Sequence, residues 1–351
     1  MNVIHFNRRL FSHISYRCLV LLPSHKIFSV FDFYPIISYL TLNIFHSIEE
    51  FADSGKARNV VTTGTFDGIH KGHRTILDKV CAIVKAKNTE SVLLTFYPHP
   101  RQVLFPDTTK MLFLSTLEER KELLEKAGIQ NLIIHPFTKQ LSQVSAENYV
   151  KEILLGKLKT ETLVIGYDHR FGHGRKGSIK ELEEWGPIYG FNVEEVSPLK
   201  AGDVAISSTK IRNAISEGDM LLANSYLGYT YFITAKVVNG MKIGSKELGY
   251  PTANLEVNDA EKLIPADGIY AVYVYYNDTR YKGMLSVGIN PTIENKGRSI
   301  EVHIFDFDQD IYGKTIRVGF HQKIRDEEKF NGLAELKAQL DKDKEVCLRL
   351  L

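Results

Sequence analysis

The chain has 351 residues, 44 lysines and arginines against 42 acidic residues, 44% hydrophobic and 25% charged, a globular composition that excludes a disordered tail or a fibre and leaves room for two domains. A net charge of +2, with no block of consecutive basic residues, argues against a nucleic-acid partner and for a local site that takes phosphates on a small molecule. Cys18, Cys81 and Cys347 lie far apart without metal-ligand spacing, so a disulfide framework or zinc site is not expected, and a cytoplasmic location is.

Residues 1–42 stand apart: they are aromatic and aliphatic, carry Arg8, Arg9, Arg17 and Lys26, and hold no acidic residue before Asp32. The apolar run 18–23 is too short for a secretory signal, and His25 and Lys26 stand where small residues belong. The stretch 27–45 barely reaches spanning length and is broken by Asp32 and Pro35, so no stable membrane association is expected. A weak anchor or targeting segment is one reading of this atypical extension. The favoured one is a gene model that begins too early, with ordered protein starting near Asn43.

From Val60, short apolar runs alternate with amphipathic segments. Strands are expected at 60–63, 91–96, 131–135, 162–166 and 191–196, and helices at 75–87, 117–127, 146–158, 179–185 and 209–217. This alternation predicts one doubly wound parallel α/β domain over 43–218. Beyond a linker at 219–228, short strands at 231–238, 269–276, 280–287, 299–305 and 315–322 predict a small antiparallel β-barrel domain over 229–351. Leu336, Leu340 and Val346, near helical spacing, predict a C-terminal helix over 333–351 that covers one side of the barrel.

After the first strand, Gly64-Thr65-Phe66-Asp67-Gly68-Ile69-His70-Lys71-Gly72-His73 makes a glycine turn that opens a helix at about Gly72. Glycines let the backbone approach a ligand, and the helix N-terminus offers N–H groups to phosphate oxygens. His70 and His73, three apart, fall on one side of the first turn and can donate to a polyphosphate that gains charge in a transition state. His99, bracketed by Pro98 and Pro100, follows a strand at the edge where open α/β sheets bind ligands, although a purely structural role in that loop is equally open. Asp168 follows the strand at 162–166. Ser207, Ser208 and Thr209 precede a helix as N-caps or as an anion site, the second being favoured by Arg212 one turn later.

In the second domain, Gly240, Lys246 and Gly249 punctuate a polar loop before Pro251-Thr252-Ala253-Asn254. Thr252 and Asn254 share one face of an extended chain and offer hard oxygens to a Mg²⁺ that also carries ATP phosphates, against the alternative of an Asn bonding its own turn. Glu301 interrupts a strand pattern, either facing a pocket as a base for a substrate hydroxyl or simply exposed. His303 reads as a packing or surface residue.

The string 64–73 with its Phe66-Asp67-Gly68 core, together with 96–100, 166–172 and 206–212, resembles the nucleotidyltransferase half of bacterial bifunctional riboflavin kinase/FAD synthetases over 43–215. The first string alone leaves other adenylyl- and cytidylyltransferases open, and the Pro-His-Pro and Ile-Ser-Ser-Thr segments narrow the field. Residues 229–351 resemble the riboflavin kinase half. The resemblance implies a Rossmann-like nucleotidyltransferase domain followed by a small antiparallel β-barrel with a C-terminal helix. It further implies conversion of riboflavin to FMN and of FMN to FAD, with ATP as co-substrate, Mg²⁺ as cofactor and pyrophosphate released.

On that resemblance His70 and His73 are catalytic in the first domain. Gly64, Thr65, Phe66, Asp67, Gly72, His99, Asp168, Ser207, Ser208, Thr209 and Arg212 bind nucleotide. In the second, Gly240, Lys246, Gly249, Thr252 and Asn254 bind nucleotide, the last two through Mg²⁺; Glu301 is the base, and Asn290 and Arg325 meet the flavin. The chain departs from the family pattern at His169, where relatives commonly carry an aromatic residue, and at Lys242 and Ile243, where they carry extra glycine or arginine. Two rival readings stand beside this one: a barrel that only binds flavin as a regulatory module, and a first domain that serves another phosphorylated substrate. Oligomeric state is left open.

Overall fold

Apolar runs too short to be helices find their partners side by side: β1 (Asn43–Phe45), β2 (Asn59–Thr63), β3 (Glu90–Phe96), β4 (Asn131–His135), β5 (Thr160–Gly166) and β6 (Asn192–Val196) form one parallel sheet in the computed structural model. The structure describes residues 41–106, 111–201, 204–239, 248–289 and 298–351. Most of the extension expected at 1–42, the loop with Gly240, Lys242, Ile243 and Lys246, and Asn290 lie outside the described residues.

The strand order is β1-β4-β3-β2-β5-β6. Every residue of β2 is buried, as a central parallel strand covered on both faces requires. From β2 the chain winds outward through β3 to β4 and then returns to β5 on the other side of β2. Winding therefore reverses between β2 and β5, which opens a crevice at their C-terminal ends.

Helices α1 (Ile48–Asp53), α2 (Lys71–Lys87), α3 (Pro100–Leu104), α4 (Leu117–Lys126) and α6 (Ile179–Tyr189) connect the strands. The segment expected as one α-helix over 146–158 is instead a short α5 (Ala146–Asn148) running into a π-helix (Tyr149–Lys157). Its buried residues Tyr149, Val150 and Leu154 follow an i, i+1, i+5 spacing that a wider turn keeps on one face. A two-stranded ribbon, β7 (Lys200–Ala201) with β8 (Val204–Ala205), leads to α7 (Ser208–Glu217).

The expected linker at 219–228 is a correction. It is α8 (Met220–Leu227), capped by Asp219, which accepts from Leu222 N at 2.9 Å, and ended by Gly228 at φ +83°. Met220, Ala223 and Leu227, at i, i+3 and i+7, join one apolar core with Leu114, Ile211 and Ile215 on one side and Val272, Leu285 and Phe320 on the other.

The remaining strands, β9 (Phe232–Val238), β10 (Ala253–Glu256), β11 (Gly268–Tyr276), β12 (Thr279–Ile289), β13 (Arg298–Ile304) and β14 (Thr315–Arg325), close into an antiparallel barrel in the order β10-β13-β12-β11-β14-β9. Closure leaves no sheet edge unpaired. Helix α9 (Leu333–Leu350) lies over Ala271, Met284 and Phe305 on the barrel's outer face. Its inward stripe is Leu336, Leu340, Asp343 and Cys347 rather than the expected Val346, because 3.6 residues per turn carry position 347, two turns beyond 340, back to the same face.

Candidate active site

The loop leaving β2 is bent tightly: Phe66 at φ +46° and Ile69 at φ +39° sit in the left-handed region that non-glycine residues seldom occupy. Gly68, at φ +78°, is required there, because a Cβ would lie 2.8 Å from the Leu114 side chain. The brace is Asp67, 2% exposed. Its carboxylate accepts from Leu114 N at 3.0 Å, Ser115 N at 3.1 Å and Arg212 Nη2 at 2.7 Å, and Arg120 stands 3.5 Å away. Asp67, expected to meet nucleotide, has its side-chain charge compensated inside the fold, where a buried carboxylate needs such partners.

His70 caps α2: its Nδ1 accepts from His73 N at 3.2 Å, so the proton of the neutral ring resides on Nε2. The His70 and His73 rings stack at 3.6 Å and 16°, and Phe66 lies 5.0 Å from His73. Burial pushes His70 down to about 4 and holds His73 well below the ordinary histidine range, with His70, Arg120 and Arg212 adding to the latter. Both rings are neutral near pH 7. His73 faces the cavity, and its buried Nδ1 has no partner among the described residues. His70 is only 5% exposed and sits behind it.

Because an unfolded chain binds protons on these histidines below about pH 6.5 and the folded His70 does not until about 4, stability falls as pH drops through that window. His70 alone accounts for a loss of about 2 kcal/mol between pH 7 and pH 5. Denaturant midpoints measured at pH 7, 6 and 5 should decline, with a smaller decline in His70→Asn; an unchanged midpoint contradicts the burial of a neutral ring.

A cavity of about 1070 Å³ opens at the ends of β2, β3 and β5. Thr63, Gly64, Thr65, Phe66 and His73 line it from the first loop, and Asp168, His169, Arg170 and Arg175 from the loop after β5. An apolar wall of Phe96, Phe137, Leu141, Tyr149 and Phe171 completes it. His169 stacks on Phe171 at 5.9 Å and 21°, and burial pushes it down to about 4, so it presents a flat neutral ring. His99 caps α3 by accepting from Arg101 N at 3.1 Å, and its side chain lines the cavity.

Ser207 is the N-cap of α7, accepting from Lys210 N at 3.5 Å. Ser208 Oγ donates to Asp67 O at 3.2 Å, and Thr209 is exposed on the first turn. Gly72 lets the His70 ring pass at 3.2 Å from where its Cβ would stand. Arg212, expected at an anion site, is tied to Asp67, and its buried Nε has no partner among the described residues.

On the barrel, the hydroxyl of Thr252 donates to Glu301 Oε2 at 3.2 Å, and Asn254 lies opposite Glu301 in the β10–β13 ladder. Leu255 and Val302 are buried and point inward, so Asn254 and Glu301 face outward. His303, two residues along the same face, packs as expected: Nδ1–H donates to Pro251 O at 2.7 Å and the ring meets Tyr250 at 5.0 Å, which fixes the turn before Thr252. Gly249 makes that turn at φ +73°. Arg325, expected over flavin, is gripped by the buried Asp343 of α9, Nη2 to Oδ2 at 2.7 Å. Among the described residues no cluster of three histidine, cysteine or acidic side chains could hold a metal. Thr252, Asn254 and Glu301 do offer hard oxygens to a cation shared with phosphates.

Sequence patterns gave no sign of Phe137 and Tyr149 in the cavity, nor of Arg120, Tyr229 and Lys262 around the Asp67 turn. Glu119 carried a signal of a different kind, since Thr116-x-x-Glu119 is a capping box and the structure forms it.

A family model for FAD synthetase matches residues 53–210, and one for riboflavin kinase matches residues 227–351. The chain is 37% identical over 308 residues to the bifunctional riboflavin kinase/FMN adenylyltransferase of Listeria monocytogenes, covering 87% of this chain and 96% of that one. Identity to the enzyme of the same name is 34% in Bacillus subtilis, over 84% and 93% of the two chains, and 31% in Escherichia coli, over 86% and 96%. A solved structure described as a macrolide-efflux protein from Streptococcus pneumoniae superposes with a TM-score of 0.80 at 32% identity, over 88% of this chain and 98% of that one. Among the described residues here, no helix is long and apolar enough to cross a membrane. The rival readings, a barrel that only binds and a transferase for another substrate, give way to the paired matches. The chain belongs to the bifunctional riboflavin kinase/FMN adenylyltransferase family, which makes FMN from riboflavin and FAD from FMN at the expense of ATP.

Proposed function

We propose that adenylyl transfer takes place in the cavity at the ends of β2 and β5, and phosphoryl transfer at the Thr252, Asn254 and Glu301 face of the barrel. The observation that carries the first assignment is a buried polar atom in the cavity lining, His73 Nδ1, without a partner among the described residues, on the first turn of α2 at the sheet's winding reversal. The FMN phosphate attacks the α-phosphorus of ATP and pyrophosphate departs. Neutral His73 donates to oxygens that gain charge, His70 stacked behind it holds its ring in place, and Arg212 with the first turn of α7 holds the departing phosphates. The apolar wall of Phe96, Phe137 and Tyr149 suits a flat isoalloxazine ring better than a sugar or phosphate.

At the barrel the 5′-hydroxyl of riboflavin attacks the γ-phosphorus of a second ATP, and Glu301 accepts the hydroxyl proton. Thr252 orients Glu301 while its oxygen keeps its lone pairs for a cation. Mg²⁺ held by Thr252 and Asn254 would neutralise phosphate charge there. Cytoplasmic operation accords with the sparse cysteines.

Purified protein given riboflavin, ATP and Mg²⁺ should form FMN first and FAD later, resolved by chromatography. Chelation of the metal should stop FMN formation and Mg²⁺ restore it. FMN formation that persists without divalent cation overturns the cation assignment.

A further inference from the structure

The Asp67–Gly68 turn is held from two directions, and one of them is the barrel domain. Tyr229, just before β9, donates its hydroxyl to Gly68 O at 2.6 Å. Lys262, in the segment leading to β11, is 1% exposed, and its ammonium donates to Leu114 O at 2.7 Å and to Glu119 Oε2 at 2.7 Å. Leu114 is the residue whose N–H grips the Asp67 carboxylate, and Gly68 N donates to Ser115 Oγ at 3.1 Å. Backbone bonds add to the clasp: Phe113 N to Glu261 O at 2.7 Å and Leu263 N to Phe113 O at 2.9 Å.

Replacing a buried ion pair by apolar residues of similar size is often neutral or stabilising, so stability alone does not call for Lys262. What an apolar side chain cannot do is hold the Leu114 carbonyl. We propose that Tyr229 and Lys262 are positioning residues for adenylyl transfer, supplied by the barrel domain to fix the Leu114–Asp67–Gly68 unit that shapes the histidine loop. The proposal rests on adenylyl transfer occurring at the His73 cavity. It makes FAD formation dependent on a barrel of which no described residue lines the adenylyl-transfer cavity.

The test is the full chain carrying Glu119→Gln with Lys262→Met, and separately Tyr229→Phe. The paired change removes both charges, and the glutamine oxygen still accepts from Thr116 N to complete the capping box, while the bond that Glu119 Oε1 accepts from Thr234 N at 3.1 Å is given up, so a thermal melt accompanies the assay. In the paired variant kcat for FMN adenylylation should fall about tenfold, as a loop displaced by a fraction of an ångström implies, with KM for FMN changed less. Tyr229→Phe should lower kcat about threefold. Riboflavin phosphorylation should keep its kcat and KM in both. A paired variant that melts like the parent and adenylylates at the parental rate overturns the proposal, as does an equal loss of both activities. His73→Ala run alongside separates the two readings: if it too leaves FAD formation intact, the cavity assignment fails, and if it alone abolishes FAD formation, only the barrel's role fails.

Discussion

His73→Ala is expected to lower FAD formation from supplied FMN by about 10²- to 10³-fold, the usual cost of losing one preorganised donor to a charged transition state, while FMN formation from riboflavin proceeds at the parental rate. The change is locally clean. The cap on α2 uses the backbone N–H of residue 73 and the His70 ring, and both survive truncation of the side chain. What disappears is the ring stacked at 3.6 Å on His70 and facing the cavity. Chromatography of flavins formed from riboflavin, and separately from FMN, distinguishes the outcomes: accumulation of FMN without FAD agrees with two separate sites, whereas loss of both products in a folded variant contradicts them.

Glu301→Gln should give the mirror result. Phosphorylation of riboflavin falls by about 10²- to 10⁴-fold for want of a base, and FMN supplied from outside is still turned into FAD. The amide oxygen of glutamine can accept the Thr252 hydroxyl as the carboxylate does at 3.2 Å, so the geometry of the face is kept while its basicity is lost. Riboflavin binding, followed by quenching of flavin fluorescence, should be retained. A variant that phosphorylates normally would remove Glu301 from the reaction and leave it a strand residue that orients Thr252.

Much of this molecule was legible from local pattern. The apolar strand before Gly64, the His70-x-x-His73 spacing and the alternation of Thr252 with Asn254 are short-range features, and chain geometry turns each into one face or one turn. Five barrel strands were visible as β-rich runs between turn dipeptides. What stayed hidden depends on contacts distant in sequence. Asp67 looks like a ligand-facing acid in a glycine loop, and only the arrival of Leu114, Ser115 and Arg212 makes it a buried brace. Arg325 looks free until Asp343, 18 positions on, takes its guanidinium. Lys262 has no helical or strand-like neighbours to mark it as buried, and its partner is 143 positions away. The segment at 219–228 is a different case: Met220, Ala223 and Leu227 stand at helical spacing, but a change of texture in the sequence reads as a linker although the chain there is a packed helix.

The core that runs through α8, joining Ile211 and Ile215 to Val272 and Phe320, bears on how a cell regulates the two products. Catalytic lesions can silence one reaction at a time, but a lesion that loosens this core withdraws both. One polypeptide carries both halves, so translation sets their ratio at one, and the shared core is expected to couple their unfolding. On that expectation the balance of FMN against FAD is adjusted through substrate supply or the chemistry of each site rather than through the abundance of one half.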